Sequence, residues 1–83
     1  MNKKYTIYFI NSFDRDKAAE LAMNSFNISP LDIKHAFTIF KEDYSYKLTL
    51  SFTNKAVFEQ FIVTLIKTKH VEVTNMKIGR MKK

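Results

Sequence analysis

Between Tyr44 and Ile66 the hydrophobic period of this chain changes once, and the change limits what the chain can become. Tyr46, Leu48, Leu50 and Phe52 alternate with Ser45, Lys47, Thr49 and Ser51; Asn54 intervenes, and then Val57, Phe58, Phe61, Ile62, Leu65 and Ile66 recur at helical spacing. A period of two gives a strand one apolar and one wet face, whereas a period near 3.6 gives a helix an apolar stripe. Neither element can bury its apolar side alone. A chain that makes this switch must lay a helix against a sheet whose other face is polar.

The remaining segments supply the rest of such a sheet. Residues 5 to 12, YTIYFINS, are β-branched and aromatic, with Tyr5, Ile7 and Phe9 on one face and Thr6, Tyr8 and Ile10 on the other. Asp14 offers a helix N-cap, and RDKAAELAMNSFN places Ala18, Leu21, Ala22 and Phe26 on one stripe of a helix that Ser29-Pro30 should end. Residues 32 to 41 and 44 to 53 read as a hairpin around Lys41-Glu42-Asp43, with Ile33, Phe37 and Ile39 inward and Lys34, Ala36, Thr38 and Phe40 outward in its first strand. Asn54 caps the second helix, in which Val63 lies off the main stripe. His70 to Ile78 reads as a last strand that slips register near Asn75, and residues 79 to 83 as a basic tail released by Gly79.

The expected fold is therefore α+β, a ferredoxin-like βαββαβ sandwich: a four-stranded antiparallel sheet with two helices on one face. Right-handed crossovers place strands 1 and 3 in the centre and strands 2 and 4 at the edges. The competing expectation is another α+β order, or a sheet completed only by dimerisation.

Eighty-three residues suffice for one domain with a modest core. Eight Phe and four Tyr make such a core feasible without metal or disulfide staples. The absence of Cys excludes disulfide frameworks, thiolate zinc sites and thiol catalysis. The N-terminal apolar run is broken by Asn11, Ser12 and Asp14 and has no small-residue cleavage site, so it does not read as a signal peptide. No segment approaches the ~20 apolar residues of a membrane span, and a cytoplasmic protein without membrane contact is expected.

The formal charge is +6. The excess is C-terminal, where Lys67, Lys69, Lys77, Arg80, Lys82 and Lys83 face Glu72 alone. A one-sided basic segment suits phosphate backbones, acidic protein surfaces or anionic membranes. On the open side of the expected sheet Tyr8 is central, with Lys47 and Thr49 on the adjacent strand and Lys34 and Phe40 beyond. An aromatic flanked by cations can stack a base while pairing its phosphate. Here Ile7-Tyr8-Phe9-Ile10-Asn11-Ser12 resembles the first ribonucleoprotein motif of the RNA recognition motif family, in which an aromatic at the second position stacks a base. The resemblance covers these six residues and the element order, and it implies that Tyr8 stacks a base. In the third strand that family has a basic residue, a Gly and two outward aromatics, whereas SYKLTLSF presents Lys47 and Thr49 outward and has no Gly.

A second expected surface is one end of the sheet, on the expectation that strands 1 and 3 start together. Lys3, Lys4, Lys41, Lys47, Lys77, Arg80, Lys82 and Lys83 would then converge there, with Glu42 and Asp43 reducing the field. Catalytic patterns are thin. His35 and His70 lie on different strands without an evident acidic partner, no HxxxH, HExxH or Gly-rich loop occurs, and Asp14 and Asp16 are explained by capping and the helix dipole. The expectation is a non-catalytic module without cofactor or metal that binds RNA or a ribonucleoprotein. Small basic domains rich in Lys, Asn and Ile fit phage or mobile-element accessory proteins, for example inhibitors of a host toxin ribonuclease or CRISPR complex. The alternative is a subunit that self-associates as a homodimer through its sheet face or second helix.

Overall fold

The computed structural model describes residues 2–41 and 43–79. Its elements run β1 (Lys3–Phe9), α1 (Ser12–Ser25), β2 (Ile33–Lys41), β3 (Tyr44–Phe52), α2 (Lys55–Lys69) and β4 (Met76–Ile78), with 3-10 turns at Pro30–Asp32 and Val73–Asn75. The strands form one antiparallel sheet in the order β2-β3-β1-β4, with β1 and β3 central as expected. Side chains of both helices meet the same sheet face in a single core, so the α+β, ferredoxin-like arrangement holds.

Alternation sets the register. Tyr5, Ile7 and Phe9 of β1 stand opposite Leu50, Leu48 and Tyr46 of β3, which puts the apolar sets of both strands on the helix side. A slip of one residue would turn all of them to solvent. From α1, Ala18, Ala19 and Ala22 are buried, and their small side chains let the helix lie close to the sheet. From α2, Phe58, Phe61 and Leu65 are buried, with Val57, Ile62 and Ile66 half-buried beside them. Tyr5 stacks on Phe58 at 4.2 Å, Phe52 lies 5.1 Å from Phe61, and Phe26 meets Phe61 edge-on at 5.4 Å. Each such ring contributes roughly 1.5–3 kcal/mol on burial, which is large against the marginal stability of a domain this small.

Helix α2 begins at Asn54 as expected, its Oδ1 accepting the Val57 N–H at 3.0 Å. Helix α1 departs from expectation at both ends. Its N-cap is Asn11, whose Oδ1 accepts the Asp14 N–H at 2.7 Å, while Asp14 sits inside the first turn and is buried. It ends at Ser25, before Ser29-Pro30: Asn27 takes a left-handed φ of 56° and the Ile28 N–H returns to the Ala22 carbonyl. Asn tolerates that conformation better than most side chains, so it supplied a stop ahead of the proline. Pro30 instead opens a 3-10 turn.

The final strand is also shorter than the alternation of residues 70 to 78 suggested. His70 ends α2 in a left-handed conformation with φ 58°, Val71 plugs the core, and residues 73–75 form a 3-10 turn that leaves Val73 exposed. Only Met76, Lys77 and Ile78 join the sheet, opposite Phe9, Tyr8 and Ile7. What anchors this short strand is polar. The Ile10 N–H donates to the Asn75 carbonyl at 2.9 Å, and Asn75 Nδ2 donates to the Asp14 carboxylate at 3.4 Å.

Candidate nucleic-acid interface

The side of the sheet away from the helices is built from the other half of each alternation. Across the central strands, Tyr8 stands directly opposite Lys47 on one neighbour and Lys77 on the other, and Lys47 in turn faces Ala36 of β2. One row therefore reads Ala36, Lys47, Tyr8, Lys77. The adjoining row sets Lys34 opposite Thr49 and Thr49 opposite Thr6, and the next places Ser51 beside Lys4. Tyr8, Lys47 and Thr49 are half-buried, whereas Lys4, Lys34 and Lys77 are exposed.

Two contacts frame the row. Gly79 donates its N–H to the Thr6 carbonyl at 2.7 Å, and a Cβ at this position would lie 3.2 Å from both the Thr6 Cβ and the Tyr8 ring. The missing side chain allows the chain to cross close to Tyr8. At the other border Tyr44 donates its hydroxyl to the Thr74 carbonyl at 2.7 Å, and the Lys77 ammonium lies 5.4 Å from the Tyr44 ring centre. Tyr44 thus ties the start of β3 to the segment that delivers Lys77, and it places a second aromatic ring at that cation. Sequence reasoning had not singled out Tyr44. Its parity with Tyr46 hides the role, which arises from where the β3 start meets the chain before β4.

The charge pattern follows the layers. The strand sequences carry Lys3, Lys4, Lys34, Lys41, Lys47 and Lys77 and no Asp or Glu. Asp14, Asp16 and Glu20 belong to α1, Asp32 to the 3-10 turn, Glu59 to α2, Glu72 to the segment after it, and Glu42 and Asp43 fall between β2 and β3. A cationic sheet face backed by a mixed helical face directs attraction for anions to one side of the molecule.

Contrary to expectation, Lys3 and Lys4 do not converge with Lys41, Lys47 and Lys77 at one end of the sheet. β1 and β3 run antiparallel, so Lys3 and Lys4 lie opposite Phe52 and Ser51 at the end of β3, while Tyr44 at its start is bridged to Lys41. Lys47 and Lys77 lie toward the latter end, beside Tyr8. Strands 1 and 3 of this topology start at opposite ends, and the cations are spread along the face instead of being pooled. The side chains of Phe40 and Lys41, and Arg80, Lys82 and Lys83 entirely, lie outside the described residues.

The candidates for other chemistry scatter. His35 and His70 are exposed and far apart in the element order. The Asp14 carboxylate accepts from Asn75 Nδ2 at 3.4 Å, and Asp16 lies 3.6 Å from the Arg15 Nε. Among the described residues no three His, Cys, Asp or Glu side chains group as metal ligands, and no helix is long and apolar enough to cross a membrane. A shallow groove of about 740 Å3 runs between α2 and the β1–β4 edge, with Tyr5, Phe58, Ile62, Val63 and Ile78 offering apolar contact beside the Lys55–Glu59 pair. No family model, curated protein or solved structure matches the chain, so the chemistry of the sheet face has to speak for its role.

Proposed function

We propose that this protein is a small, non-catalytic module that binds RNA, free or within a ribonucleoprotein, through the open face of its sheet. The observation that carries the reading is the row in which Lys47 and Lys77 stand on either side of Tyr8, on a face whose strands contain no acid. Lysines two strand spacings apart, ~9.6 Å, can pair nearby phosphates of a flexible single strand, and the ring between them offers a stacking surface to a base. Thr6 and Thr49 add hydroxyls in the next row, within reach of sugar or base edges. The face has one stacking residue at its centre, and Tyr44 lies at its border. Such an arrangement favours tolerant binding over sequence reading, with phosphate contacts setting affinity.

The test is binding of labelled single-stranded RNA by nuclease-treated protein across a salt series, for the wild type and Tyr8→Ala. Affinity should fall with salt, and the substitution should weaken binding by about 1–3 kcal/mol, the usual worth of one base–aromatic stack. Salt-independent or absent binding removes the phosphate reading. A folded Tyr8→Ala protein with unchanged affinity removes the stacking role. A second reading, self-association without nucleic acid, draws on the apolar groove beside Val63, which is 49% exposed, and would appear as a dimer abolished by a charge at that position.

A further inference from the structure

We infer that two copies of the chain join through their β2 strands, continuing the sheet from four strands to eight. The two outer strands of the sheet differ in how they meet solvent. β4 is three residues long and carries Lys77 at its middle, both of which blunt an edge. β2 is nine residues long, IKHAFTIFK, has no proline, and keeps a regular ladder with β3 from Ile33 to Phe37 before an irregularity between Phe37 and Lys41. It is a long, β-prone edge with one lysine, Lys34, in its regular part. Edges of this kind pair with other strands unless something covers them.

The second observation is where apolar side chains remain uncovered. Phe13 is 71% exposed, Leu31 85%, Phe37 61% and Met23 38%. They belong to α1, to the turn that leads into β2, and to β2 itself. α1 packs mainly on β1 and β3 and reaches β2 through Arg15, whose Nη1 donates to the Ala36 carbonyl at 3.4 Å; beside that contact Phe13, Asp16, Lys17, Glu20 and Met23 of α1 and His35 of β2 line a hollow of about 540 Å3. Phe37 touches only the edge of Tyr46, at 5.0 Å, among the ring contacts of the described residues. A partner β2 laid antiparallel along this edge satisfies the outer backbone groups of both strands other than the Ala36 carbonyl, which Arg15 already holds at 3.4 Å, and brings its own Phe37 and Phe13 over the same ledge. The contact is isologous, so it closes at two copies and leaves no new edge to propagate.

The area available is that of a modest dimer. At about 200 Å2 per ring, Phe13 and Phe37 leave roughly 260 Å2 for the second copy to cover. Six paired residues span about 20 Å of edge, most of the 31–32 Å width of the molecule. With Leu31 and Met23 this brings each copy toward ~600 Å2, the lower range for specific association, so the dimer forms and dissociates with concentration. The helix α2 groove does not take part, which separates this contact from the self-association considered above. The open faces of the two copies become continuous, and the two Tyr8 rows then lie five strand spacings apart, about 24 Å.

Sedimentation equilibrium of the nuclease-treated 83-residue protein over a wide concentration series tests the inference without reference to RNA. The wild type should move from 9.8 kDa toward twice that mass as concentration rises. Phe37→Glu, and independently Phe13→Ser, should raise the dissociation constant at least tenfold, with circular dichroism showing that each variant keeps its fold. Val63→Glu should leave the equilibrium unchanged. A protein that is monomeric throughout, a dimer indifferent to both Phe substitutions, or one dissolved by Val63→Glu overturns the inference. RNA affinity of the Phe37→Glu monomer for a short oligonucleotide should equal that of the wild type, so loss of pairing and loss of the nucleic-acid reading register separately.

Discussion

Replacing Lys47 by Gln gives the sharpest test of the sheet face, because the structure fixes both the expected size and the control. The open face presents Lys4, Lys34, Lys47 and Lys77. For single-stranded RNA each neutralised phosphate contributes about −0.7 to the slope of log K against log salt, so four contacts predict a slope near −3. Removing one lysine should reduce the slope to about −2. At roughly 0.1 M salt the same term corresponds to a fivefold loss of affinity, or ~1 kcal/mol. Gln keeps most of the half-buried stem that lies between Ala36 and Tyr8 in the row, so folding stability should change by less than ~0.5 kcal/mol. Lys55→Gln is the matched control: Lys55 is on α2, on the opposite side of the sheet, and pairs with Glu59 at 3.9 Å. Fluorescence anisotropy of a labelled oligonucleotide at five or so salt concentrations measures both slopes. Equal slopes for wild type and Lys47→Gln, or an equal drop in Lys55→Gln, would refute the assignment of phosphate binding to this face.

Two further substitutions probe the framework that positions the row. Tyr44→Phe removes the 2.7 Å hydrogen bond to the Thr74 carbonyl but keeps the ring under Lys77, and it should cost about 1 kcal/mol in urea unfolding with RNA affinity nearly unchanged. A large affinity loss from the hydroxyl alone would show that Tyr44 contacts RNA directly. His70→Gly relieves a non-glycine side chain held at φ 58° on an exposed helix end, and should stabilise the fold by roughly 0.5–1 kcal/mol, seen as a rise of several degrees in Tm. A fall in Tm would mean that the imidazole makes a contact worth more than the backbone strain.

The architecture was legible wherever burial acts on a strictly periodic pattern. The alternation in β3 and the 3.6-residue stripe in α2 each leave one way to hide their apolar sets, and the structure adopts both. Element ends were less legible, because several polar residues compete for each cap. Asn11 and Asp14 both suit the start of α1, and the winner is set by a third party: Asn75, 61 positions later, holds the Asp14 carboxylate inside the first turn. Likewise Val71 has the sequence appearance of a strand residue, yet it is needed as a plug under α2 and so ends the alternation that preceded β4.

The functional face divides along the same line. That Tyr8, Lys47 and Thr49 share a side follows from parity alone, a local property. That Lys77 stands beside Tyr8, and that Lys3 and Lys4 do not join Lys41, depends on strand direction, which no single strand encodes. Direction comes from the connections. A crossover through α1 makes β2 parallel to β1, the hairpin then reverses β3 against both, and a crossover through α2 sets β4 parallel to β3. Once the reversal is traced, Lys3 and Lys4 cannot join Lys41 at one end of the sheet, and the cations of the described strands are shared along the face. This changes the kind of ligand the surface suits. A pooled edge would clamp one compact anion, whereas cations on the strands either side of a stacking ring match a polyanion whose charges recur along a chain.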